Sequence, residues 1–270
     1  MFIQRALISL TLGPLALYLI YLGGLFYFLP IAVILGLATA EYVQLTRKVG
    51  WQTSLPILIP AVIVLWAAAQ WLNWQLSGAL MAISLLWIMA YALWLYERNR
   101  SATVLADWGA MVAGFVLLGW IGGHFFRLRG LEEMAWQWTM LVMLSTWITD
   151  SAAYLVGKFL TGRLFGRHQL VPRLSPNKTV EGYVGGIVLG TAVTVLLAII
   201  LQLPLIMALA IGLFVSVVSP LGDLGISLLK RQAGAKDSGH LFPGHGGALD
   251  RIDSLVWSVT MAYYFIVLVA

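Results

Sequence analysis

Apolar residues in this chain come in long runs divided by short polar breaks, falling roughly at 3–22, 25–45, 55–72, 76–96, 103–123, 135–157, 182–202, 204–229 and 250–270. An α-helix rises ~1.5 Å per residue, so runs of about 20 residues match the hydrocarbon layer of a bilayer. Strands of a membrane barrel would alternate apolar and polar side chains, and these runs show no period of two. The pattern predicts an all-α, polytopic integral membrane protein with about nine transmembrane helices. The first run, ALISLTLGPLALYLIYL after Arg5, lacks a small-residue cleavage site followed by a polar mature region, and another apolar run begins right after Gly23 and Gly24. It is expected to be a retained helix and not a secretory signal. No internal repeat or low-complexity segment interrupts the pattern.

Composition agrees: 61% of residues are hydrophobic, 10% are charged, and the mean hydropathy is +0.91. A soluble domain of this size exposes far more polar surface. Cysteine is absent, which excludes disulfides, thiolate metal sites and thiol nucleophiles. The formal charge of +5 does not argue for nucleic acid, because basic residues of membrane proteins collect in cytoplasmic loops. With the N-terminus cytoplasmic, 14 of the 16 lysines and arginines fall in inside loops, and only Arg127 and Arg129 fall outside. An odd helix count then leaves the C-terminus outside. Eleven of the 12 tryptophans precede Asp150, several near predicted helix ends, as aromatic belts at headgroup level require. Residues 1–134 therefore read as transmembrane scaffold, and 135–270 as a catalytic region whose long polar loops face the cytoplasm.

Four places in that second half put polar groups where lipid-facing helices do not tolerate them. In TWITDSAAYLVGK, Asp150 interrupts an apolar run, with Tyr154 and Lys158 on the same helical face; a carboxylate at membrane depth needs a partner or a wet cavity. In VPRLSPNKTVEGYVGG, Pro176 and Asn177 are expected to make a turn, Arg173 and Lys178 offer phosphate-pairing cations, and Asn177 or Thr179 can cap the next helix. In SVVSPLGDLGISLLKR, Pro220 and Gly222 are expected to break or kink the helix, and Asp223, Ser227 and Lys230 form one polar stripe beyond it. The fourth is KRQAGAKDSGHLFPGHGGALDRIDS, residues 230–254, whose consecutive glycines would let backbone N–H groups approach a phosphate. Asp250 and Asp253 follow on one face of the last helix. A helix N-terminus alone accounts for one of those aspartates, not for both together with the basic residues upstream.

Carboxylates with few histidines and no thiolates suit a hard cation, Mg²⁺ rather than zinc. Lysines, arginines and glycine N–H groups around such an ion describe a nucleotide or lipid phosphate site at the membrane surface. His240 and His245 suit either acid–base work or loop hydrogen bonding.

The stretch SLLKRQAGAKDSGHLFPGHGGALDRIDS resembles the signature of the phosphatidate cytidylyltransferases (CDP-diacylglycerol synthases) in its serine, both basic pairs, glycine loop and final aspartates, with Ala248 where a bulkier residue is usual. SPNKTVEG and DSAAYLVGK are similar to further family features, so the resemblance is specific over residues 145–254. It implies a Mg²⁺-dependent reaction of CTP with phosphatidate. It implies Asp223, Asp250 and Asp253 as metal ligands and catalytic groups, with Lys230 and Arg231 catalytic. Substrate contacts would come from Asp150, Arg173, Ser175, Asn177, Lys178 and Ser227, then from Lys236, Asp237, Gly244, His245, Gly246, Gly247 and Arg251. The implied partners are CTP, phosphatidate and the bilayer, with room for a homodimer and no nucleic acid. The implied location is a bacterial inner membrane. Two competing readings are a CTP-using lipid-alcohol kinase, which needs a base such as His245 or an aspartate, and a transporter, which needs matched sites in repeated halves that the chain lacks.

Overall fold

The computed structural model describes residues 13–162, 166–239 and 246–269. Its helices are α1 (Gly13–Leu22), α2 (Gly24–Val49), α3 (Leu55–Trp71), α4 (Trp74–Glu97), α5 (Val104–Gly114), α6 (His124–Arg129), α7 (Ala135–Phe159), α8 (Val180–Ile200), α9 (Leu205–Gln232), α10 (Leu249–Ile252) and α11 (Leu255–Val269). A wider π-wound segment, Phe115–Ile121, joins α5 to α6. Among the described residues, seven helical segments are long and apolar enough to cross a membrane; α1 and α3 are shorter apolar helices.

The chain divides into two compact units, Met1–Gly130 with Leu229–Ile252, and Leu131–Leu228 with Asp253–Ala270. In the first, backbone groups at irregular points find side-chain partners. Arg129 donates from Nε to the Ile20 carbonyl (2.7 Å) and from Nη2 to that of Tyr21 (3.1 Å), satisfying carbonyls at the end of α1. The Trp66 indole donates to the Leu118 carbonyl inside the π-wound segment (2.8 Å). Tyr42 on α2 donates to the Ala110 carbonyl of α5 (2.8 Å). Such partners are obligatory where no water reaches the backbone.

In the second unit, α7 and α8 pack closely because Gly182, Gly186 and Gly190 recur every four residues along α8. A Cβ at Gly186 would stand 2.9 Å from the Ala153 methyl, and one at Gly182 2.7 Å from the Ala153 carbonyl. Small residues at this spacing let membrane helices approach at backbone range. The hydroxyls of Ser145 and Thr194 add to that contact at 2.7 Å, and Thr149 ties α7 to α9 through Ser216 at 2.9 Å.

Two local expectations are corrected. Pro176 and Asn177 do not form a turn; they lie in strand β2 (Ser175–Thr179), which pairs antiparallel with β1 (Gln169–Val171), and the turn is made by 172–174. Proline at 172 already supplies the fixed φ a turn uses, and Thr179, not Asn177, caps α8 by accepting from the Gly182 N–H at 3.1 Å. Nor is α9 broken at Pro220, which sits inside a continuous 28-residue helix. Proline disturbs the carbonyls one turn before it, and the Tyr183 hydroxyl donates to one of them, that of Val217, at 3.1 Å. Gly222 serves close approach: a Cβ there would collide with the Asp253 carbonyl.

Candidate active site

The first unit holds Lys230, Asp250 and the ends of the glycine-rich stretch. Lys230 comes in the last turn of α9, which closes as the Ala235 N–H donates back to the Lys230 carbonyl (2.8 Å) around Gly234 at φ +64°. Its ammonium donates to Asp250 Oδ1 at 2.6 Å, and the two side chains are only 11% and 7% exposed. Asp250 Oδ2 accepts from the Ser238 N–H (2.8 Å), the Ser238 hydroxyl (3.0 Å) and the Gly247 N–H (3.0 Å). A buried ion pair persists only when its remaining polar valences are filled in this way. Gly246 has φ +78°, a conformation other residues rarely adopt.

A second carboxylate meets the same stretch from α2. Glu41, 8% exposed, accepts at Oε1 from the Ala248 N–H (2.9 Å) and at Oε2 from the Leu249 N–H (2.9 Å) and the Ser238 hydroxyl (2.7 Å). A Cβ on Gly239 or Gly247 would overlap that carboxylate. The N–H groups of Gly247, Ala248 and Leu249, which the sequence offers to phosphate, are thus engaged by the protein's own acids. Glu41 was not singled out from the sequence, although the signal that marks Asp150 marks it equally: a lone acid inside an apolar run. Around this cluster Arg231, Lys236, Asp237 and Arg251 are exposed, and Arg231 donates to the Ala235 carbonyl at 3.3 Å. Gly244, His245 and His240 lie outside the described residues.

The second unit holds the other pair. Strand β2 carries Lys178, whose ammonium stands 2.7 Å from Asp223 Oδ2 on α9, with the side chains 26% and 35% exposed. Ser227, one turn on, donates to Asp223 Oδ1 at 3.1 Å. Asp223 therefore holds one donor on each oxygen and keeps acceptor capacity open to solvent. The hairpin presents Arg173 in its turn and Asn177 on its exposed face, with Ser175 half-buried at the start of β2. Asp150 on α7 accepts from Ser219 at 3.0 Å. Lys158, the partner that helical spacing suggests for it, turns instead to the Tyr154 hydroxyl at 2.9 Å and to the Tyr154 and Phe159 rings. Asp253 lies in the turn between α10 and α11, not on a continuous face with Asp250, and accepts from the Ser254 N–H at 2.7 Å.

Among the described residues no group of three or more histidines, aspartates or glutamates stands close enough to hold a metal ion by itself. The donors nonetheless fit a magnesium ion that takes most of its ligands from water and substrate phosphate, since Asp223 offers open carboxylate oxygen at an accessible position. Asp250 fits less well, with Oδ2 accepting three donors and Oδ1 facing Lys230.

The family whose sequence profile matches the chain is the cytidylyltransferase family, over residues 3–269. The chain is 32% identical to a phosphatidate cytidylyltransferase of Bacillus subtilis, covering 98% of this chain and 97% of that protein. It is 33% identical to one of Synechocystis, covering 98% and 96%, and 32% identical to one of Brucella suis, covering 97% and 92%.

Proposed function

The chain belongs to the cytidylyltransferase family, and from that premise we propose how its residues divide the work. It transfers the cytidylyl group of CTP to phosphatidate, giving CDP-diacylglycerol and pyrophosphate; the observation that carries this is a family match over residues 3–269, joined by relatives of one name over nearly their whole length. A phosphate monoester has its second pKa at about 6, so phosphatidate already presents a nucleophilic oxygen at neutral pH and needs no strong protein base. That oxygen attacks the α-phosphorus of CTP, and the bond to the pyrophosphate oxygen breaks. What the protein must supply is position and positive charge.

Lys178, paired to a half-open Asp223, exchanges that carboxylate for substrate phosphate, with Arg173, Ser175, Asn177 and Ser227 around it. Lys230, fixed by Asp250, together with Arg231, Lys236, Asp237 and Arg251 serves the phosphates on its own side, and Gly246 and Gly247 shape the loop. Asp223 and Asp253 are the carboxylates assigned to Mg²⁺, whose chemistry when bound is to neutralise charge on the polyphosphate. Asp250 is assigned to holding Lys230. Nine membrane helices, a cytoplasmic N-terminus and a cytoplasm-facing site in a bacterial inner membrane are supported by nine apolar runs, the 14-to-2 split of basic residues and the bacterial relatives. Purified protein given CTP and phosphatidate with Mg²⁺ should release one pyrophosphate per CDP-diacylglycerol formed. Release of CDP in its place would mark a kinase and overturn the assignment.

A further inference from the structure

The glycine-rich stretch is tied at both ends by acids. Glu41 takes the Ser238 hydroxyl at the entry and the Ala248 and Leu249 N–H groups at the exit. Asp250 takes the Ser238 N–H and hydroxyl at the entry and the Gly247 N–H at the exit. The two carboxylates meet at one atom and share its single proton: Ser238 Oγ is 2.7 Å from Glu41 Oε2 and 3.0 Å from Asp250 Oδ2. Ser238 is 6% exposed and Glu41 8%, so water is no ready substitute for either. Gly239 and Gly247 are cut to the shape of Glu41, because a Cβ at either would fall on its carboxylate.

We propose that Glu41, on α2, is a positioning residue for the transfer reaction: through Ser238 and the 248–249 backbone it fixes where Asp250 stands, and through Asp250 where the Lys230 ammonium points. The proposal rests on the reading of Lys230 as a phosphate-facing cation. A scaffold acid would be needed only for folding; a positioning acid also sets the rate of the folded enzyme. The geometry favours the second, because Glu41 reaches Lys230 through just two intervening side chains, Ser238 and Asp250.

The test uses the full-length protein in detergent, with phosphatidate, CTP and Mg²⁺. Glu41→Gln keeps volume but turns one acceptor into a donor, which in either amide orientation faces a backbone N–H, that of Ala248 or of Leu249. Among molecules that remain folded, kcat should fall at least about tenfold, since small misplacements of catalytic groups cost that much or more, while both KM values stay within about threefold. Ser238→Ala should show the same split, and the double variant should lose no more than the worse single one, which marks residues acting in one chain. Wild-type kcat in folded Glu41→Gln, or losses that multiply in the double variant, overturns the proposal. Should Glu41→Gln fail to fold, Ser238→Ala decides: normal kcat there removes the relay. Inactivity of the wild-type protein with CTP and phosphatidate would sink the functional reading itself, a separate outcome from normal turnover in the variants.

Discussion

Each unit of the protein holds a lysine–aspartate pair at nearly the same distance, 2.6 Å for Lys230 with Asp250 and 2.7 Å for Lys178 with Asp223, yet their surroundings differ. Asp250 is buried and accepts three further hydrogen bonds, two of them from backbone that only glycine-rich sequence brings close. Asp223 is about one-third exposed, accepts one further bond, and draws its lysine from a strand of an exposed hairpin. Charge separation alone therefore says little about role. A carboxylate with its valences filled from inside holds structure in place, and one with open valences at an accessible position can trade its partner for a ligand.

The comparison is broken most severely by removing Lys230. Lys230→Ala leaves the Asp250 charge buried without its cation, which costs on the order of 3–5 kcal/mol, and thermal unfolding in detergent should register it as a large drop in Tm. Adding Asp250→Asn to that variant should recover part of the loss. Lys178→Ala should behave differently: stability within about 1 kcal/mol of wild type, because the pair is partly solvated, and KM for at least one substrate raised about tenfold through loss of a phosphate-pairing cation. The smallest effect belongs to Arg173→Ala. Standing exposed in the hairpin turn, Arg173 acts on incoming anions through a screened field, so a KM change of a few-fold should shrink as salt is raised.

Much of this arrangement is legible in the sequence. Apolar runs give the helices because backbone in lipid has to bond within its own segment, so hydropathy and secondary structure coincide. Asp223, Lys178, Lys230 and Asp250 stand out because charge is costly in such a chain. What escapes is partnership. Asp150 suggests Lys158 by helical spacing, but the bond comes from Ser219, 69 positions away. The proline in α9 predicts a break or kink, yet the helix runs on through it, and a tyrosine from α8 donates to the Val217 carbonyl one turn before the proline. The glycine loop promises free N–H groups for phosphate, and Glu41, some two hundred positions earlier in the chain, already holds two of them. In each case local pattern gives the need, and a distant residue that no local pattern names supplies the answer.

The division between an anchored pair and an open one is tested most directly by making Asp223→Asn and Asp250→Asn and measuring turnover and Tm of both side by side at saturating CTP, phosphatidate and Mg²⁺. Asp223→Asn should lose on the order of 10²-fold in kcat with Tm unchanged, because it removes charge from an open position that acts only when substrate is bound. Asp250→Asn should lose turnover and Tm together, since its amide cannot accept all four donors that converge on the carboxylate. Near-wild-type turnover in Asp223→Asn, or an unchanged Tm in Asp250→Asn, would contradict the account.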